Sequence, residues 1–376
     1  MTPQALRSRL RALPKVELHR HLEAAARLET LWELHQAAGE TMHASLDEMR
    51  AALVAPDGAA PGFIGFLSRF LKLRFHYGDA AAVARLVREV VQDAAADGVV
   101  HLEIRFSPTF WARCMKRLDF GMPDPANPLS TPAPIPTVDE AAQAAEIILR
   151  AARAEAERRA ISVSFILSIS RNAGVEVNRP GTELLTRPVG AAFAGVDVAG
   201  DESFPIEGVA ELFEPWRTAG KVLTLHAGED PRAEAGGARN VREAVERYGA
   251  ARIGHGIRAI EDPKVIELLQ RRGVVLEVCP TCNVLTRAAR SFSEHPLKRL
   301  AEAGVAVTLN TDDPLLCGIG LTEEYARAHE RCGLSLEHLR AAALQGARAA
   351  LLPEAARSKL IQRVTAAWDE FCSAVK

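Results

Sequence analysis

The sequence predicts a TIM-like (β/α)8 barrel of the α/β class, with a helical insertion after strand 1 and extra helices at the C-terminus. Three observations predict it. Eight short β-like runs are spread along 376 residues. Several are near-continuous apolar stretches, among them VVHLEIRF, SVSFILSI and GVAVTLN, as strands buried on both faces of a parallel sheet require. Helix-period segments separate most of the runs, an alternation that leaves a closed barrel or a long doubly wound sheet.

In chain order the strands are expected at Val16–Leu22, Val99–Phe106, Ile161–Ile169, Ala192–Val198, Val222–His226, Arg252–His255, Val274–Val278 and Val305–Asn310. Helices are expected at Val138–Arg158, Ile206–Ala219, Val241–Tyr248, Pro263–Arg272 and Pro296–Ala303, with two or three more from Leu336 onwards. The stretch between Leu22 and Val99 is too long for one crossover helix. It contains PGFIGFLSRFLKLRFHYGD, where Phe63, Phe66, Leu67 and Phe70 fall at helical spacing. These residues form an amphipathic helix on the core, a lid over a pocket, or both. The segment 122–136, MPDPANPLSTPAPIP, is a proline-rich surface loop, because proline removes donors and disfavours helix and ladder alike. A minimal barrel needs about 250 residues, so one elaborated domain over residues 1–376 accounts for the whole length.

Composition narrows the function. Net charge is −2, from 46 basic and 48 acidic residues, so no nucleic-acid backbone is an expected partner. No apolar run reaches membrane-spanning length, and MTPQALRSRLRALPKVE lacks the apolar centre of a secretory signal. Six cysteines are too few for a disulfide scaffold. The expectation is a reduced, cytoplasmic enzyme acting on a small molecule.

The chemistry-bearing residues cluster at strand ends. In HRHLE, His19 and His21 are two apart on a strand and so share a face. In LTLHAGED, His226 ends a strand and Glu229 comes three residues later in the loop, where a desolvated carboxyl can shuttle a proton. In RIGHGIR, Gly254 and Gly256 flank His255 and permit close approach. In VTLNTDDP, Asp312 and Asp313 come just after the last strand; adjacent carboxylates there bind a cation or form a turn. In GVDVAGDE, Gly200 allows a backbone N–H to face a ligand, while Asp201 and Glu202 read as caps. All five blocks fall at the C-terminal ends of strands, the catalytic face of such barrels. Three histidines and an aspartate form a nitrogen–oxygen set suited to Zn²⁺, and a metal of that kind activates water. Glu229, His255 and Asp313 remain for acid–base and orienting work.

PKVELHRHLE, GVDVAGDE, LTLHAGE, RIGHG and LNTDDP, joined by HLEIRFSP and LEVCPTCNVLT, resemble the ordered signature blocks of the adenosine deaminase family within the amidohydrolase superfamily. The resemblance runs from residue 14 to about residue 318. It implies one Zn²⁺ per chain held by His19, His21, His226 and Asp312. It implies that Glu229 protonates N1 of a purine, that His255 orients the attacking water, that Asp313 binds near N7 and that the Gly200 backbone binds N3. The implied reaction converts adenosine or 2′-deoxyadenosine to inosine or deoxyinosine plus ammonia, with hydroxide on zinc attacking C6. One block departs from the family's usual HLDG. Here it reads HLEA, with Glu23 and Ala24 where the shorter aspartate helps hold the ribose 5′-hydroxyl. Glutamate there also occurs in branches acting on adenine or on 5′-modified adenosines such as aminodeoxyfutalosine.

Other readings fit less well. Cys279-Pro-Thr-Cys282 lacks the HxE partner of cytidine-type zinc deaminases. A two-metal relative would carry a lysine late in strand four, and AFAGVDVAG has none. A catalytically silent relative would have lost a ligand or Glu229.

Overall fold

Each predicted run forms a strand: β1 (Lys15–His21), β2 (Val99–Phe106), β3 (Ser162–Ser170), β4 (Phe193–Ala199), β5 (Val222–Ala227), β6 (Arg252–His255), β7 (Val275–Val278) and β8 (Ala306–Leu309). The computed structural model describes residues 2–39, 42–55, 61–73, 77–116, 134–232 and 237–375. Strands pair in parallel and in chain order, β1 to β8. Strands β1, β2, β6 and β7 are buried at every position, including the charged residues of β1 and β6.

The ring closes between the last residues of β1 and the segment just beyond β8. His21 N–H donates to the Asp312 carbonyl at 2.9 Å, and Asp312 N–H donates to the His19 carbonyl at 3.0 Å. This bridge brings the last catalytic-face segment against the first. The register of β1 against β2 shifts between Glu17 and Arg20, a bulge of the kind that re-aims side chains near active sites.

Among the described residues, the long gap after β1 holds four α-helices, Leu28–Ala37, Leu46–Leu53, Gly62–Leu73 and Ala80–Ala96. Two C-terminal helices, Leu336–Ala349 and Glu354–Val375, lie beyond β8. The first packs close over β1: a Cβ on Gly346 would come within 3.1 Å of Val16 Cβ. Of the proline-rich loop, residues 122–133 lie outside the described residues. Its last residues lead into Thr137, which opens helix Val138–Arg159 with a capping box to Glu140. The helix expected at Val241–Tyr248 begins earlier, at Gly237, and ends at Glu246. Among the described residues, no helix is long and apolar enough to cross a membrane.

Candidate metal centre and active site

His19, His21, His226 and Asp312 converge, with one donor atom from each lying within 4.8 Å of the others. His19 Nε2 lies 3.0 Å and His21 Nε2 3.4 Å from Asp312 Oδ1. His21 Nε2 and His226 Nε2 are 3.2 Å apart. His19 Nε2 and Asp312 Oδ1 are buried and make no hydrogen bond. A buried donor or acceptor left so is costly, unless a cation takes up its lone pair. The four-residue set suits zinc in number and type.

The tautomers suit it too. His19 Nδ1 lies 2.9 Å from Glu277 Oε2, and His226 Nδ1 lies 3.1 Å from Asp197 Oδ1. Carboxylates only accept, so each Nδ1 carries the proton and each Nε2 presents its lone pair to the shared point. Arg105 holds both carboxylates, at 3.1 Å from Asp197 and 2.6 Å from Glu277, and donates to the Leu18 carbonyl at 2.8 Å. Arg252 anchors the other oxygen of Glu277 at 2.9 Å. Burial alone would raise the Glu277 pKa, but Arg105 and then Arg252 outweigh it and hold the carboxyl well below its usual range. Glu277 therefore stays ionised and accepting. None of this supporting layer stands out in the sequence. Its one signal is a set of charged residues inside otherwise apolar strands, as in HLEIRF and VLEV.

Backbone conformation sharpens the site. His255 and Asp312 adopt left-handed φ of 61° and 62°, unusual outside glycine and typical of functional positions. Gly254 lets the His19 and His226 rings close in, since a Cβ there would sit 2.9 Å from His19 Cε1 and 3.1 Å from the His226 ring. Gly200 has φ 99°, and a Cβ on it would strike Asn172 Oδ1 at 2.3 Å.

Beside the ligand cluster, Glu229 Oε2 lies 3.2 Å from His255 Nε2, and Thr286 Oγ1 donates to Glu229 Oε1 at 3.1 Å. Burial, and then the neighbouring Asp312 and Glu202 carboxylates, push the Glu229 pKa well above the usual range. Burial likewise raises Asp313 and holds His255 well below an ordinary histidine. Glu23 Oε1 accepts from Ser107 N–H at 2.8 Å, whereas Oε2 is buried without a hydrogen bond. Burial pushes Glu23 up to about 7. A cleft opens over these groups, walled by Phe63, Phe66, Phe70 and Phe110 and reaching Gly200. The aromatic helix of the insertion therefore packs on the core and also lines the cleft.

Glu202 is more than the cap its position suggests. Its Oε2 accepts from Gly228 N–H at 2.8 Å, and its Oε1 accepts from Glu229 and Asp230 N–H at 2.6 and 3.0 Å. It thereby sets the loop that presents Glu229. Glu202→Gln converts one acceptor oxygen into a donor facing N–H groups. The expected result is a stability loss of about 2–3 kcal/mol with lowered turnover and unchanged metal content. Chemical denaturation that shows no loss would remove this role.

The adenosine deaminase family profile matches residues 14–367. An adenosine deaminase of Shewanella loihica is 33% identical over 350 residues, covering 93% of this chain and 97% of the relative. The chain belongs to the adenosine deaminase family. It is a hydrolase acting on C–N bonds of cyclic amidines. Two solved structures share the fold. One is an amidohydrolase from Burkholderia ambifaria with bound Zn, at TM-score 0.81 and 24% identity, covering 98% of this chain and 94% of that one. The other is an adenine deaminase from Arthrobacter aurescens, at TM-score 0.78 and 23% identity, covering 94% and 99%. In this family member the His19–His21–His226–Asp312 cluster, Glu229, His255 and Asp313 stand together at one end of the barrel.

Proposed function

We propose that this family member is a zinc-dependent deaminase that converts adenosine or 2′-deoxyadenosine and water to inosine or deoxyinosine and ammonia. The observation that carries the proposal is Glu229, a buried carboxyl whose pKa is raised by burial and by its carboxylate neighbours and which faces His255 beside the His19–His21–His226–Asp312 cluster. One Zn²⁺ held by those four residues would lower the pKa of a water to roughly 7.

The remaining work falls to the chain. Glu229 donates its proton to N1 of the purine, which makes C6 electrophilic. His255 orients the attacking water through Nε2. Asp313, whose pKa is raised by burial, donates to N7, and Gly200 N–H faces N3. The aromatic walls exclude bulk water, which strengthens each of these interactions. Water adds its oxygen to C6 and gives up two protons, one restoring Glu229 and one passing to the 6-amino group; the C–N bond breaks with its electron pair on nitrogen, and ammonia leaves. All six cysteines are free thiols, which supports a reducing, cytoplasmic setting.

Glu23 supports a second reading, a 5′-modified adenosine such as aminodeoxyfutalosine, or adenine itself. Its carboxyl sits one methylene further from the backbone than that of an aspartate. The test is turnover of adenosine, deoxyadenosine, adenine, methylthioadenosine and aminodeoxyfutalosine, followed by loss of the 6-amino absorbance. Adenosine and deoxyadenosine are expected to lead, with Glu23→Asp lowering their kcat/KM about tenfold, as expected for one lost buried hydrogen bond. A marked gain for adenosine in Glu23→Asp selects the 5′-modified reading instead. No turnover of any 6-aminopurine overturns both.

A further inference from the structure

The direction of every hydrogen bond behind His255 is set by one group whose role is fixed. Leu297 N–H is a backbone donor, and it points at His295 Nδ1 across 3.0 Å. His295 Nδ1 must therefore accept, which puts the proton of the neutral ring on Nε2. His295 Nε2 lies 3.2 Å from the side-chain oxygen of Asn283 and donates to it. That orients the Asn283 amide, since the flipped amide would set donor against donor. The Asn283 nitrogen then donates to His255 Nδ1 across 3.0 Å. His255 Nδ1 accepts in turn, and the His255 proton resides on Nε2. Asn283, His255 and His295 are all buried, so water does not compete for these bonds. On the other side of the ring, His255 Nε2 faces two oxygens, Glu229 Oε2 at 3.2 Å and Asp312 Oδ2 at 3.7 Å. An N–H there faces the Asp312 carboxylate, which offers only acceptors.

We propose that Asn283 and His295 are positioning residues that lock His255 as the tautomer with its proton on Nε2, so that it meets the attacking water as a hydrogen-bond donor. The inference rests on the deaminase reading for its consequence in turnover, but not for the tautomer itself. A donor at this point fixes the water through its oxygen and leaves a lone pair free to approach C6. The opposite tautomer presents a bare Nε2, which competes for the water's proton and turns the oxygen away. The three residues come from separate places: the end of β6, the helix Pro280–Leu285 after β7, and the loop before helix Leu297–Glu302.

The decisive variant is Asn283→Asp. A carboxylate offers only acceptors, so His255 Nδ1 must take the proton. In the metal-loaded protein, histidine 15N NMR, with His255→Gln identifying the signal, is expected to show a protonated Nε2 and unprotonated Nδ1 in the wild type. Asn283→Asp is expected to protonate Nδ1. Its kcat is expected to fall about 10²–10⁴-fold, the range set by misplaced acid–base groups, with KM and zinc content little changed. His295→Gln, which keeps a donor toward Asn283, is expected to retain most activity, while His295→Phe does not. A wild-type spectrum with the proton on Nδ1 overturns the proposal even if the variants fail to fold. Wild-type kcat in Asn283→Asp overturns it as well. Absence of purine turnover in the wild type sinks the proposed reaction, and the tautomer spectrum still decides the relay.

Discussion

Glu229→Gln is expected to lower kcat about 10²–10⁴-fold while leaving zinc bound and the fold intact. Glutamine has the size of the protonated acid and can still accept from Thr286 Oγ1, which donates to Glu229 at 3.1 Å. What it lacks is a transferable proton. Glu229 is not among the His19, His21, His226 and Asp312 ligand set, so metal content is expected to match the wild type. Stability is expected to hold or rise, because the buried carboxyl no longer faces Asp312 and Glu202, whose charges help raise its pKa. The pH profile adds a second check. A carboxyl with a raised pKa holds its proton to higher pH than an ordinary one and loses it as the pH climbs. The wild-type rate should therefore fall on the alkaline side, and the residual rate of the variant should lack that limb. Retained activity in Glu229→Gln, with the wild-type alkaline limb, would assign the proton to another group.

The parts of this molecule legible in its sequence are those where one residue announces its own surroundings. An apolar run such as SVSFILSI is buried whatever its partners are, and β3 lies where that run does, within a residue at each end. His19, His21, His226 and Asp312 are legible because their residue types are rare at strand ends and share one chemistry. The supporting residues are different. Arg105 is one more cation in HLEIRF until barrel closure brings it between Asp197 and Glu277. Asn283 and His295 are ordinary polar residues until the turn after β7 stacks them behind His255. Glu202 reads as a cap because glutamate near a strand end often is one; its partners, Gly228 to Asp230, lie one strand further on. Their roles exist only in pairs, and pairing is set by the fold.

Asp312 carries the other large effect. Its backbone closes the barrel through hydrogen bonds with His19 and His21, and its side chain offers one of the four donor atoms of the candidate metal site. The two roles can be separated. Asp312→Ala removes the ligand but places alanine at φ 62°, a strained conformation for it, whereas asparagine tolerates that region nearly as well as aspartate. Asp312→Asn is therefore the cleaner variant: the bridge survives, the anionic ligand does not. Zinc is expected to fall from one per chain towards none, and turnover with it by several orders of magnitude. Thermal stability offers a readout independent of substrate. A ligand bound only by the folded state stabilises it by RT ln(1 + [L]/Kd), about 4 kcal/mol at a thousandfold excess over Kd. Chelation should therefore lower the melting temperature of the wild type and leave Asp312→Asn unmoved. Without metal the ranking is expected to reverse, because the wild type then buries the Asp312 carboxylate with no cation to offset it, and the amide removes that charge. Equal zinc in Asp312→Asn and wild type, or a melting temperature that chelator does not shift in either, would show that the cluster is not the metal centre.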